Sequence, residues 1–275
     1  RERSHFDGQN VLETGGLTPY QVWGGRMNRL VGLLPAARDE AIAFAPTVPL
    51  ALRGSNEVAS YAASALPQAP DDLMMRVGQL YAADKQLGPL WDSAMATRGM
   101  AGDAAPRQDP ASLGKLAATF LARPDGPRIA MIETGGWDTH TGQVGRLNVQ
   151  LRGLDATIAA LRDGLGPVWN DTVVLVATEF GRTAAVNGTG GTDHGSASAA
   201  LLIGGAVKGG RIVADWPGLR PSDLYEARDL KPTLGLDAVI AAVAAETFRL
   251  DSHRTAGALF AARSDLKPVS GLIRA

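Results

Sequence analysis

The 275 residues contain no cysteine. Disulfides, thiolate metal ligands and a cysteine nucleophile are thereby excluded. The absence suits cytosol and periplasm alike and decides neither. Net charge is just as scant: 27 basic against 28 acidic side chains leave −1, with a pI near 6.5. No electrostatic case exists for nucleic acid or an anionic membrane as partner, so any anion must be recognised locally. The longest apolar stretches, such as 236–245, fall well short of the roughly 20 residues that span a bilayer. No signal peptide is visible and no initiating Met. The chain opens on Arg1-Glu2-Arg3-Ser4, which reads as a processed or truncated product.

What is present is an ordinary globular composition, 45% apolar and 20% charged, long enough to bury a substantial core. Residues 1–40 read as turn-punctuated helix. A short strand is expected at 41–45 and another at 49–52. Asp71-Asp72 start a helix running through Leu73, Val77, Leu80 and Leu87, and 95–110 reads as a mobile Gly/Pro/Ala loop. A helix over 112–121 leads to a strand ending at Ile132. The clearest amphipathic segment is 144–165, where Leu147, Leu151, Leu154, Ile158 and Leu161 keep the spacing of one helical face. Strands at 173–177 and 199–203 follow, with 211–213 pairing nearby, and 236–248 closes as a strong helix. This alternation predicts a single α/β domain over 1–275, with a largely parallel central sheet flanked by helices.

Three clusters stand at or beside the ends of the apolar runs. They are Gly135-Gly136-Trp137-Asp138-Thr139-His140, Thr178-Glu179-Phe180-Gly181-Arg182-Thr183 and Gly191-Thr192-Asp193-His194-Gly195. Open α/β sheets bind ligands just outside the carboxyl ends of their strands. Asp138 and His140, alternating in an extended backbone, point the same way and can share one cation; alternatively Asp138 caps a helix and His140 faces solvent. Glu179 ends a strand otherwise too apolar for a carboxylate, so it needs a cation, a metal or a proton. Either Arg182 neutralises it as a structural ion pair, or Glu179 binds metal while the Arg182 fork grips phosphate or sulfate oxygens. Asp193-His194 sits in a glycine-rich loop that metal coordination would order; the alternative is a turn and a helix cap. Ser4-His5 offers a serine that a metal could activate, although composition alone reads Ser4 as a helix cap. Asn187-Gly188-Thr189 matches a glycosylation sequon but reads as a turn. A metal-free Ser196–His194–Asp193 triad is disfavoured, because neighbours that close rarely reach triad geometry.

The run from Glu133 to His140, then Thr178 to Thr183, then Gly191 to Gly195, resembles domain-of-unknown-function family 1501. Arg3-Ser-His-Phe-Asp7, Pro49 to Gly54 and Gly204-Gly205 through Gly218 add to the resemblance, which spans nearly the whole chain. That family is grouped with the alkaline-phosphatase-like superfamily of phosphatases, sulfatases and phosphomutases, and many members are bacterial proteins exported by the twin-arginine route. The resemblance implies a sheet whose loops hold one or two divalent cations (Zn²⁺, Mn²⁺ or Ca²⁺) beside a Ser or Thr nucleophile. Asp138, His140, Glu179, Asp193 and His194 become metal-ligand candidates, Ser4 takes the nucleophile position, and His5 or Arg182 touches the transferred group. Relatives usually begin with an earlier strand and an aspartate-bearing Gly-Gly turn, so this chain is expected to lack the first strand, unless a partner chain supplies it. The expected function is metal-dependent hydrolysis of a small phosphate or sulfate ester by an exported, periplasmic protein. The alternative is an inactive binding or assembly protein that retains the fold.

Overall fold

A computed structural model describes residues 3–35, 40–62, 69–101, 109–263, 265–267 and 269–274. Ser4 caps the first helix, α1 (His5–Thr14), its hydroxyl accepting from the Asp7 amide, and Gly15 ends it at φ 71°. A positive φ of that size costs a glycine little and most other residues more. Then come α2 (Arg26–Val31), β1 (Ala41–Ala43), β2 (Ala59–Ser60), α3 (Asp71–Tyr81), α4 (Leu87–Ala101), α5 (Pro110–Leu121), β3 (Ile129–Met131) and α6 (Gln143–Leu165). The second half holds β4 (Val174–Val176), β5 (Gly181–Arg182), β6 (His194–Gly195), β7 (Leu201–Ile203), α7 (Leu236–Phe248) and α8 (Ser252–Leu259). Among the described residues no helix is long and apolar enough to cross a membrane.

The fold is mixed α/β, as the alternating pattern implies. Its parallel part is small: β2, β1 and β3 form a three-stranded sheet in that order. The rest is antiparallel, β4 with β7 and β5 with β6, which corrects the largely parallel expectation. Residues 174–203 form one long hairpin, and a hairpin connection delivers an antiparallel partner where a crossover would deliver a parallel one.

Several local expectations change as well. Residues 50–52 form a 3-10 turn, not a strand; the Ala51 amide is taken by the buried Glu13 carboxylate, which leaves it no sheet neighbour. Leu87 belongs to α4, because Asp84 accepts from the Gln86 and Leu87 amides and restarts the helix. Residues 95–101 complete α4, so the glycine there does not outweigh its helix-forming neighbours; the remainder of that expected loop, 102–108, lies outside the described residues. Arg211 to Val213 form no strand, and Ile212 is 93% exposed, since Gly210 at φ 76° turns the chain outward.

Two apolar clusters sandwich the parallel sheet. Ala41, Ala43, Ile129 and Met131 face Leu30, Ile240, Ala241, Ala244 and Leu259 of α2, α7 and α8. The alternate residues Ile42, Phe44, Ala130 and Ile132 face Leu116, Phe120, Leu161 and Leu165 of α5 and α6. This is strand alternation between two helix layers. Each fully buried large side chain, such as Phe120 or Leu30, contributes about 1.5–3 kcal/mol. The layers fix the carboxyl ends of β3 and β4, from which the site loops spring.

Candidate metal centre

The short β5–β6 ladder sets the first part of the site. Its register places Arg182 opposite His194 and Gly181 opposite Gly195. Directly paired residues on one face lie within side-chain reach. The two glycines are required by crowding: a Cβ on Gly195 would stand 2.5 Å from the Arg182 carbonyl oxygen, and one on Gly181 2.2 Å from the Ala197 nitrogen.

The segment 139–143, which enters α6, is zipped to the loop 187–192. Gly142 and Gln143 amides donate to Thr189 and Gly190 carbonyls, and the Thr192 amide donates to Thr139. The Gln143 side-chain oxygen accepts from both Thr139 (2.9 Å) and Thr192 (2.7 Å) hydroxyls. A Cβ on Gly191 would meet the His140 carbonyl carbon and oxygen at 2.2 Å, so glycine alone permits the crossing.

Asp138, His140 and His194 converge there. Asp138 Oδ1 lies 3.0 Å from His140 Nε2 and 2.8 Å from His194 Nε2, and the two Nε2 atoms are 3.3 Å apart. The far side of each ring faces an acceptor. His140 Nδ1 is 3.2 Å from Asp193 Oδ1, and His194 Nδ1 is 2.9 Å from the Arg3 carbonyl oxygen. A carbonyl can only accept, so His194 Nδ1 carries a proton; the Asp193 carboxylate imposes the same on His140. Both Nε2 lone pairs of the neutral rings therefore aim, with a carboxylate oxygen, at one shared point. Three such donors repel each other unless a cation or an added proton lies among them. Spacings of about 3 Å are those of ligands around a cation with bonds of about 2.1 Å. The residues present thus fit a divalent ion.

Burial alone would raise the Asp138 pKa. With no ion among the donors, an added proton on the rings takes its place: a hydrogen bond from His194, with the charges of His194, His140 and Arg182, then outweighs burial and holds the carboxyl below its ordinary range. Asp193 is also held low, by hydrogen bonds from Asn187 first and His140 second. Beneath the donors, the Phe180 ring stacks on His194 at 4.7 Å and the Arg182 guanidinium carbon lies 4.7 Å from the same ring.

The remaining predicted residues are distributed around this group. Asp193 lies behind His140, with the geometry of an orienting carboxylate. Glu179 is not one of the converging donors; its Oε1 approaches His5 Nδ1 at 2.6 Å without the alignment of a hydrogen bond. Arg182 does not pair with Glu179. Its Nη2 donates to Asp138 Oδ1 (2.9 Å) and the Trp137 carbonyl, and its Nη1 to the Thr192 carbonyl. Two of its nitrogens hold the site together, which gives it a positioning role. Ser4 caps α1 between Arg3 and His5, which touch His194 and Glu179 respectively. Ser196 donates to Asp229, not to His194.

Three contributors have no sequence signal of comparable strength. Asn187 donates to the His140 carbonyl and to Asp193 Oδ1, both at 3.0 Å, while its own oxygen gathers Thr189 and Gly191 amides. Asp229 is fully buried and receives Arg3, Arg228 and Ser196. It pins Arg3, whose carbonyl fixes His194. Gln143 is the third. The Asn-Gly turn was visible at Asn187; nothing local distinguishes Asp229 or Gln143.

Residues 52–259 match the profile of a family described as "Protein of unknown function (DUF1501)". The chain belongs to this family. No curated protein and no solved structure matches it. Every member of the Asp138, His140 and His194 group falls inside the family segment, whereas Arg3, Ser4 and His5 precede it.

Proposed function

We propose that the protein is a metal-dependent hydrolase of small phosphate or sulfate esters. The observation that carries the reading is the convergence of two imidazole lone pairs and one carboxylate oxygen, with both outer ring nitrogens already committed. Asp138, His140 and His194 would hold the ion. Two imidazoles favour Zn²⁺ or Mn²⁺ over Ca²⁺, which prefers an all-oxygen shell. A bound ion would supply Lewis-acid polarisation of the ester and a lowered pKa for a hydroxyl or water.

The chain's own residues do the rest. Asp193 and the Arg3 carbonyl hold the two rings in the tautomer that presents Nε2. Arg182 orients Asp138 and adds positive charge where an anionic group would sit. Ser4, beside the segment that fixes His194, is the nucleophile candidate, with water the other. The His5–Glu179 pair stands next to it. Export to the periplasm belongs to the same reading and rests on the family resemblance, as does assignment to the alkaline-phosphatase-like superfamily.

Metal analysis of the purified protein, followed by turnover of aryl phosphate and aryl sulfate with Zn²⁺ or Mn²⁺, tests the proposal. Bound metal at one equivalent or more and turnover abolished in Asp138→Ala are expected. Failure of the reconstituted protein to bind metal or turn over either ester sinks it.

A further inference from the structure

Asp193, which stands at the outer nitrogen of the His140 ring, also lines a cleft of about 490 Å³, a volume within the range of small-molecule sites. Backbone pairing brings its two charged residues to either side of one short segment. The Thr183 amide donates to the Asp193 carbonyl, and the Ala184 amide to the Arg228 carbonyl. The remaining wall is apolar, with Val186, Leu219, Pro221 and Leu224 along it. Val186 and Leu219 are 68% and 58% exposed. Large apolar side chains left bare around one concavity mark a binding surface rather than scattered surface residues.

Both charged side chains are anchored, and each keeps a free edge. Asp193 Oδ1 is held by His140 and Asn187, while its Oδ2 has no partner among the described residues. Arg228 Nη1 donates to Asp229 and to the His194 carbonyl, while its Nε and Nη2 have none. The two form no ion pair with each other, although both border the same space. Groups fixed in this way lose little side-chain freedom when a ligand arrives. The arginine is delivered by a strained turn, closed by reciprocal backbone bonds between Tyr225 and Asp229. Glu226 and Ala227 within it have φ of 52° and 53°, the left-handed region that Asn and Gly occupy more readily. Backbone strain of this kind gathers at ligand sites.

We propose that this cleft binds a free α-amino acid with a large apolar side chain. Its carboxylate sits on Nε and Nη2 of Arg228, the edge that matches a carboxylate with two parallel hydrogen bonds. Its ammonium group donates to Asp193 Oδ2, and its side chain covers Val186, Leu219 and Leu224. A zwitterion answers both unpaired charges at once, which neither an apolar acid nor an apolar amine does. The site needs no ion, so the inference stands whether or not the protein is a hydrolase.

Calorimetric titration of the full chain with L-phenylalanine tests it, on the protein as purified and again after treatment with a chelator. Saturable binding in the millimolar range or tighter is expected in both. Hydrocinnamate and phenethylamine, which each lack one of the two charges, should bind about 10- to 100-fold more weakly. Leu219→Glu and Val186→Glu alter exposed side chains, so circular dichroism should find the fold intact while L-phenylalanine binding weakens about tenfold or more. No binding, an analogue with one charge binding as tightly as the amino acid, or binding that both substitutions leave unchanged would overturn the proposal. Binding seen only before chelation would overturn it too, because the amino acid would then be a ligand of an ion at Asp138, His140 and His194.

Discussion

Asp193 is the residue on which sequence and geometry part most usefully. As a ligand it would be indispensable to the ion; as placed, its Oδ1 lies 3.2 Å from His140 Nδ1 and 3.0 Å from Asn187 Nδ2, on the side of the ring away from the converging donors. A carboxylate there fixes the tautomer and raises ring basicity, and losing such a partner weakens metal binding by about 10- to 100-fold, or roughly 1.4–2.8 kcal/mol. Asp193→Ala should fall in that range, and Asp193→Asn nearer its weak end, because the amide oxygen can still accept from Nδ1. Asp138→Ala, which removes a donor, should cost more than about 1,000-fold, roughly 4 kcal/mol. Competition of each variant against a chromophoric Zn²⁺ chelator measures the affinities, with circular dichroism to verify folding. If Asp193→Ala loses as much as Asp138→Ala, Asp193 is a ligand and the orienting role is wrong. If it loses nothing, His140 takes its orientation from elsewhere.

Removing the buried Asp229 leaves Arg3, Arg228 and Ser196 without their common acceptor, so Asp229→Ala should cost about 3–5 kcal/mol and lower the thermal midpoint by on the order of 10 °C; a shift under about 2 °C would show that the buried carboxylate does not anchor the amino-terminal segment. Gly191→Ala forces apart two segments that cross within van der Waals contact and should destabilise by about 1–3 kcal/mol while weakening Zn²⁺ binding, read by denaturant titration and the same chelator assay; an unchanged pair of values refutes the crowding. Glu133 is raised above its ordinary value, by desolvation first and then by Glu13 and Glu179. A carboxyl with a raised folded pKa favours the fold while protonated, below its unfolded pKa, and that contribution is lost as pH rises through the folded value. Glu133→Gln should therefore melt above the parent near pH 8, and the gap should close near pH 4. A gap independent of pH means that the Glu133 charge is not what the substitution relieves.

The helices were the legible part of the chain. Periodicity and stop residues locate 144–165 and 236–248 within a residue of α6 and α7, because an amphipathic or wholly apolar helix is specified by neighbours three and four positions away. Strand pairing is not local. Val176 and Leu201 read as strand from composition, but that they pair with each other, antiparallel, depends on the hairpin between them. The site divides along the same line. Residue types at Asp138, His140 and His194 made a shared cation one of two readings, the other being a helix cap and a solvent-facing ring. Which atoms converge, and which of the five candidates stand one layer back, was settled by ring orientation. That orientation is set by the Arg3 carbonyl, Asp193, Asn187 and the buried Asp229, groups brought together across as many as 226 residues. Hydrogen-bond direction leaves no periodic trace in a sequence, so only the tertiary structure could decide it.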